Sequence, residues 1–253
     1  MKNAKTTFVI LTIAIVVYSL SLIPVLAENL ERNKRGFSEE HECGNLPKDL
    51  IDGLVCPVIE YRYLDHTNGQ LLVGFLLYPL FLLLGKTLFS LKLLAVLFSI
   101  GTFWGWFVLV RKKEGLKAAG IVALFFIFPV PFYFQYSLIL YGNHKETTFF
   151  AVCMFLLLDS LLKRPRSFLL AAILGALFGF SAFFCLQSLI PIAATLFLWL
   201  IYRNYKTFIQ EAAACSAGIA AGFLPLHLWY VFNGIDYYSF AGLFISSGGW
   251  SGW

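Results

Sequence analysis

Charge is what this sequence has least of. Only 33 of its 253 residues are Asp, Glu, Lys or Arg, or 13%, against about 25% in a globular domain. Apolar residues make up 59% and aromatic residues 18%. A soluble domain of this length has too little interior to hide that much apolar surface. The same shortage excludes a disordered tail and a nucleic-acid partner, since both need charge. Five cysteines in 253 residues do not make a disulfide scaffold. Other signatures are missing too. No Cys/His spacing reads as a metal site, no Gly-rich loop with Lys-Ser/Thr cradles a phosphate, and no Gly-x-Ser-x-Gly elbow carries a nucleophile. No internal repeat stands out. What remains is an all-α polytopic membrane protein.

The charges that exist are clustered. Fourteen fall between Glu28 and Asp65, and nine of the fourteen acids are among them. Eleven bases sit in four places: Lys2 and Lys5; Arg111, Lys112, Lys113 and Lys117; Lys163, Arg164 and Arg166; Arg203 and Lys206. Apolar runs between them predict spans over 7–27, 93–110, 118–141, 147–162, 168–185, 188–202 and 212–232. The run from Ser167 to Tyr202 is too long for one helix, and Gln187, Ser188 and Pro191 mark its turn.

The segment 71–85 contains Pro79 and is short for a crossing. It decides the topology. If it only dips into the membrane as a re-entrant or juxtamembrane helix, all later basic loops share the cytoplasmic side with Lys2 and Lys5, as the positive-inside rule requires. The expectation is therefore a single transmembrane module over 1–253 in the plasma (inner) membrane. It has about seven transmembrane helices, a cytoplasmic N-terminus, an outer loop 28–68 and an outer C-terminal tail 233–253. The N-terminus also has the look of a signal peptide with Val25-Leu26-Ala27 before a cleavage point, but its 21-residue apolar run exceeds a signal core of about 7–15 residues and favours a span.

Cys153, Cys185 and Cys215 fall in spans and read as packing residues, as does His227 beside Trp229. Cys43 and Cys56 lie in the outer loop, where a disulfide between them is expected slightly ahead of two free thiols. The glycine pairs Gly101/Gly105, Gly175/Gly179 and Gly218/Gly222 have the small-xxx-small spacing that lets membrane helices approach closely.

The outer loop is the only soluble segment long enough to hold chemistry. Its carboxylates (Glu39, Glu40, Glu42, Asp49, Asp52, Glu60 and Asp65 among them) are of the type that acts as a general base or holds a divalent cation, and the sequence leaves both open. Lys48, Arg62, Lys86 and Lys145 lie at the same interface and suit a lipid phosphate. Asp65-His66 and His144-Lys145-Glu146 bring polar groups from two remote loops to the outer ends of apolar segments.

Several stretches carry a resemblance: Leu46-Pro47-Lys48-Asp49-Leu50-Ile51-Asp52-Gly53-Leu54; Tyr61-Arg62-Tyr63 followed by Asp65-His66 and Gly69; Pro79-Leu80-Phe81 with Gly85; Ser90-Leu91-Lys92-Leu93; Tyr141-Gly142-Asn143-His144-Lys145-Glu146; and Gly222-Phe223-Leu224-Pro225 with Asn233-Gly234. In order and spacing these resemble the GT-C superfamily of membrane glycosyltransferases, in the family 39-like branch with protein O-mannosyltransferases and lipid A aminoarabinose transferases. The resemblance implies a polyprenyl-phosphate-linked sugar as donor, an acceptor lipid or protein, and inverting transfer on the outer face. It implies Glu39 and Glu40 as the catalytic acidic pair, where relatives carry Asp-Glu, with Glu28, Glu31 and Glu42 as alternatives. It also implies His66, with Asp65, at the donor phosphate, and Asn143, His144 and Glu146 at the cavity rim. Relatives continue beyond the point where this chain stops, so the expectation is a fragment, a module with a partner subunit that supplies a soluble domain, or an inactive descendant. The rivals are a lipid-binding scaffold subunit and, less well supported, a transporter, because the predicted spans hold few ionisable residues and no inverted repeat is evident.

Overall fold

The computed structural model describes residues 2–32, 38–54, 61, 69–130, 138–142 and 145–232. Among them the chain is helical, with no strand. The helices are α1 (Lys2–Arg32), α2 (Ser38–Asp52), α3 (Gly69–Leu84), α4 (Leu88–Glu114), α5 (Leu116–Ile127), α6 (Lys145–Leu162), α7 (Phe168–Phe184), α8 (Leu189–Tyr202) and α9 (Tyr205–Phe232). Three stretches are long and apolar enough to cross a membrane: Thr7–Pro24, Leu88–Glu114 and Tyr205–Trp229. Their surroundings agree with that reading. Large apolar side chains on them, such as Phe8, Ile13, Leu97 and Leu224, point outward, which water would penalise and lipid does not.

Element boundaries follow local chemistry. Thr87 caps α4, its hydroxyl accepting from the Ser90 N–H at 3.2 Å, and Ser167 does the same for α7 with Leu170 at 3.4 Å. The turn expected at Gln187–Ser188 is a single 3-10 turn, Leu186–Ser188, and Pro191 lies in the first turn of α8, where its missing N–H costs nothing. The expected span 118–141 differs from what is found. Its helix stops at Ile127, Phe128 leaves helical geometry, and Pro129 cannot donate onward. Residues 138–142 are non-helical.

Contacts fix the helix directions. At one end Lys145, the first residue of α6, donates to the Ala95 carbonyl of α4 at 2.9 Å. At the other, Lys113 near the end of α4 meets Asp159 near the end of α6 at 2.7 Å. Helices α4 and α6 therefore run parallel. Residues 92 and 113 are separated by roughly 30 Å at 1.5 Å per residue, the thickness of a hydrocarbon core. Helix α1 runs antiparallel to α4: Tyr18 meets Phe103, and further along, towards Leu26, α1 faces Phe89 and Leu93.

Helices α7 and α9 run parallel in a close, glycine-lined crossing. A Cβ added at Gly175 or Gly179 would lie 2.0 or 2.3 Å from the carbonyl oxygens of Cys215 and Ile219. One added at Gly218 or Gly222 would lie 2.0 or 2.2 Å from those of Ala172 and Ala176. Only residues without a Cβ allow backbones this near. Gly101 and Gly105 receive Phe149 and Val152 of α6 in the same manner.

The basic loops collect at the end of the bundle marked by Lys113. Asp159 is buried and bound by both Lys113 and Lys163 at 2.7 Å. Arg203 holds Glu211 through two N–H groups at 2.6 and 3.0 Å and donates to the Arg164 carbonyl at 2.7 Å. Glu211 also accepts from the Ser167 N–H at 2.9 Å. One network thus ties together the three loops that carry nine of the chain's nineteen bases.

Helix α3 has 16 residues with Pro79 inside, about 24 Å long. Its first residue touches Gly142, just before α6, and its last leads through Gly85–Thr87 into α4. Both of its ends therefore lie at the same end of the bundle, away from the basic loops. It packs there against α2, with Leu46 over Gly74 and Phe81 near Gly44.

Candidate functional site

Helix α2 is built to lie on the end of the bundle. Glu40, Cys43, Gly44 and Pro47 recur on one face and are buried, while His41 and Lys48 are exposed. The unusual member of that inner face is a charge. Glu40 is 0% exposed, and so is Lys92. They form an ion pair of 2.6 Å between Lys92 Nζ and Glu40 Oε2.

Backbone groups complete the pair. Lys92 Nζ also donates to the Leu138 carbonyl at 3.0 Å, and the Leu140 N–H donates to Glu40 Oε1 at 3.3 Å. Cys43 donates to the Leu140 carbonyl at 3.6 Å. One turn further, the Gly142 N–H donates to Glu146 Oε1 at 3.3 Å, and Glu146 is also 0% exposed. Two carboxylates from remote parts of the chain thus hold the irregular strip 138–142. Gly142 has φ +71 and meets Gly69 so closely that a Cβ on Gly69 would lie 1.3 Å from its carbonyl oxygen.

The electrostatics follow from burial. Cys43 is a thiol pushed well up by burial, with Glu146, Glu40 and Glu42 adding to the effect. Lys145, ahead of the apolar run of α6, is pulled down to about 7 by burial, which Glu146 opposes and Lys92 reinforces. Within the cluster Glu40 and Lys92 offset each other as an ion pair, as buried charge must be.

The sequence-derived candidates divide as follows. Glu40 and Glu146 are brought into one cluster. Lys48 is exposed on α2, and Lys86 pairs with Asp52 at the surface, a contact of small energetic weight. Asp49 accepts from the Tyr61 hydroxyl. Glu39 stands in the first turn of α2, but its side chain, with Arg62, Asp65, His66, Asn143 and His144, lies outside the described residues. The expected Cys43–Cys56 disulfide is not met at its first partner: Cys43 is a buried free thiol hydrogen-bonded to Leu140, and Cys56 lies outside the described residues. Among the described residues no group of three or more His, Cys, Asp or Glu converges on a metal-sized point.

Lys92 was not among the sequence-derived site residues, although a signal was present. It is the only charged residue between Lys86 and Arg111. An ionisable residue isolated in an apolar helix needs a partner, and Glu40 is that partner. Compared with family models, curated proteins and solved structures, the chain finds a match in none of the three.

Proposed function

We propose that this chain is a membrane glycosyltransferase module of the GT-C kind. It takes a sugar from a polyprenyl-phosphate donor on the outer face of the plasma (inner) membrane and passes it to a lipid or protein acceptor. In this reading α1, α4, the segment begun by α5, α6, α7, α8 and α9 are seven crossings. The basic end is cytoplasmic, and α2 with α3 lies in the outer interface. Support comes from the shared end of the basic loops, which an even number of crossings between α4 and α6 would violate, and from the return of α3 to the end where it began.

The observation that carries the reading is the buried Glu40–Lys92 pair. It pins an acidic interfacial helix at fixed register over the mouth of the bundle. Glu40 then serves as a positioning residue, and its neighbour Glu39 is the base. The Glu39 carboxylate takes the proton of an acceptor hydroxyl, the freed oxygen bonds to the anomeric carbon, and the sugar–phosphate C–O bond breaks. The lipid phosphate leaves with the electron pair, met by Lys48, Arg62 and His66. Asn143 and His144 border the acceptor side.

The test is transfer of labelled sugar from a polyprenyl-phosphate pool in proteoliposomes. Glu39→Gln is expected to lower the rate by about 10²–10⁴, the usual contribution of a general base, with the thermal transition unchanged. Undiminished transfer by Glu39→Gln overturns the assignment.

A second reading has its own support. Both Glu40 oxygens are engaged within the protein, which also suits a non-catalytic lipid-binding or scaffold subunit working with a partner that supplies a soluble domain. Native mass spectrometry of gently extracted protein separates the two: a bound polyprenyl-phosphate sugar is expected for the enzyme, and a copurified subunit without it for the scaffold.

A further inference from the structure

We propose that the basic end of the bundle holds an anionic phospholipid of the leaflet it faces. The lipid's phosphate would sit on the Lys113–Asp159–Lys163 triad, with an acyl chain in the groove between α4, α6 and α8. This goes beyond the transfer reaction and rests on the orientation given above only for the name of the leaflet.

The groove encloses about 430 Å³. Trp106 and Leu109 of α4, Phe155 and Leu162 of α6, and Leu198 of α8 form its walls, and Tyr202 of α8 closes the end nearest the loops. Those walls are apolar, but the mouth is not. Lys113 and Asp159 line the same space, and Lys163 reaches the second oxygen of Asp159 at 2.7 Å.

Asp159 is the reason the lysines are organised rather than loose. Its side chain is 3% exposed, whereas those of Lys113 and Lys163 are 51% and 57% exposed. One buried carboxylate therefore holds two ammonium groups at the mouth of the groove, each with donors left for another acceptor. The triad carries one surplus positive charge. The field around it has the same sign, since the three loops hold nine bases against Glu114, Asp159 and Glu211. Of those acids, Glu211 is neutralised by Arg203.

A headgroup with a net negative phosphate next to an apolar chain matches this layout on both counts. A zwitterionic headgroup brings its own cation towards the lysines and loses the advantage. Basic pockets between membrane helices on the cytoplasmic side are a recognised setting for anionic lipids. A phosphate without a chain would leave the groove unfilled.

The experiment places the full chain in mixed micelles of phosphatidylglycerol and phosphatidylcholine with identical acyl chains and counts retained lipid by native mass spectrometry. Phosphatidylglycerol is expected to be retained about fivefold over phosphatidylcholine, the factor one surplus cation is worth at a membrane surface. The neutral triple variant Lys113→Gln, Asp159→Asn, Lys163→Gln leaves no unpaired buried charge and is expected to erase the preference. Leu198→Trp fills the groove and is expected to lower retention of both lipids, and soluble glycerol phosphate is expected not to displace the lipid. Equal retention of the two lipids by the unmodified chain, a preference that survives in the triple variant, or displacement by glycerol phosphate overturns the proposal. None of these readouts needs sugar transfer, so failure here is distinct from failure of the glycosyltransferase reading.

Discussion

Removing either member of the Glu40–Lys92 pair alone should cost about 3–5 kcal/mol of stability, while replacing both by apolar residues of similar size should recover most of it. The reason lies in where the charges sit. Both side chains are fully buried. Taking an ammonium or a carboxylate out of water is expensive, and the 2.6 Å contact offsets that cost only while both are present. Glu40→Gln leaves Lys92 with a neutral partner, and Lys92→Met leaves a buried carboxylate without its cation and the Leu138 carbonyl without the Lys92 donor. The double variant Glu40→Leu, Lys92→Met removes both charges at once. It retains a deficit of about 1–3 kcal/mol because the Leu140 N–H loses its acceptor.

Reversible unfolding in mixed micelles, followed by tryptophan fluorescence, measures all three variants. Single variants within 0.5 kcal/mol of the parent would show that the pair is not buried as described. The same set bears on function. A double variant that regains stability yet transfers no sugar identifies the pair as the device that aligns α2. One that regains both assigns it to folding alone.

Parts of this architecture are legible from residues, and parts are not, for physical reasons. The glycine pairs at 175/179 and 218/222 announced a close crossing because absence of a Cβ is a local property with one structural use in membrane helices. The division between α7 and α8 was legible for a similar reason, since Gln187, Ser188 and Pro191 interrupt an otherwise apolar run. The helix end at Ile127 was not. Hydropathy continues unbroken to Leu140, but Pro129 and Pro131 deny backbone donors, and a window average hides two missing hydrogen bonds.

The candidate site was half legible. Glu40 was singled out by the acidic pair that the resemblance implies, and Glu146 by its place at the end of an apolar segment beside His144 and Lys145. The partners of Glu40 lie 52 positions away in Lys92 and 100 away in Leu140. Pairing over such separations is decided by tertiary packing, and no local pattern encodes it. Lys92, the only charged residue between Lys86 and Arg111, was the available clue, and its position one residue before the predicted span hid it.

The parallel crossing of α7 and α9 yields the other large effect. Gly218→Leu and Gly179→Leu are each expected to lose about 3 kcal/mol or more, at or above the upper end of what overpacking usually costs. A Cβ at Gly218 would sit 2.0 Å from the Ala172 carbonyl oxygen, and one at Gly179 would sit 2.3 Å from that of Ile219. In both cases the obstacle is backbone, which cannot change rotamer. The helices cannot simply part, because the Glu211–Ser167 contact holds one end of the pair and the Phe183–Phe223 edge contact holds the far end. Gly120→Ala is the control. Nothing lies within 4 Å of a Cβ there, so the gain in helix propensity should stabilise by about 0.5–1 kcal/mol. A Gly218→Leu protein as stable as the parent would refute the crossing. The damage should also travel. Phe184, at the end of α7, packs against Gly69 where that residue meets Gly142. A displaced α7 therefore loosens the strip that Glu40 and Glu146 hold, and transfer should fall in the Gly179→Leu variant although the substitution lies outside the candidate site.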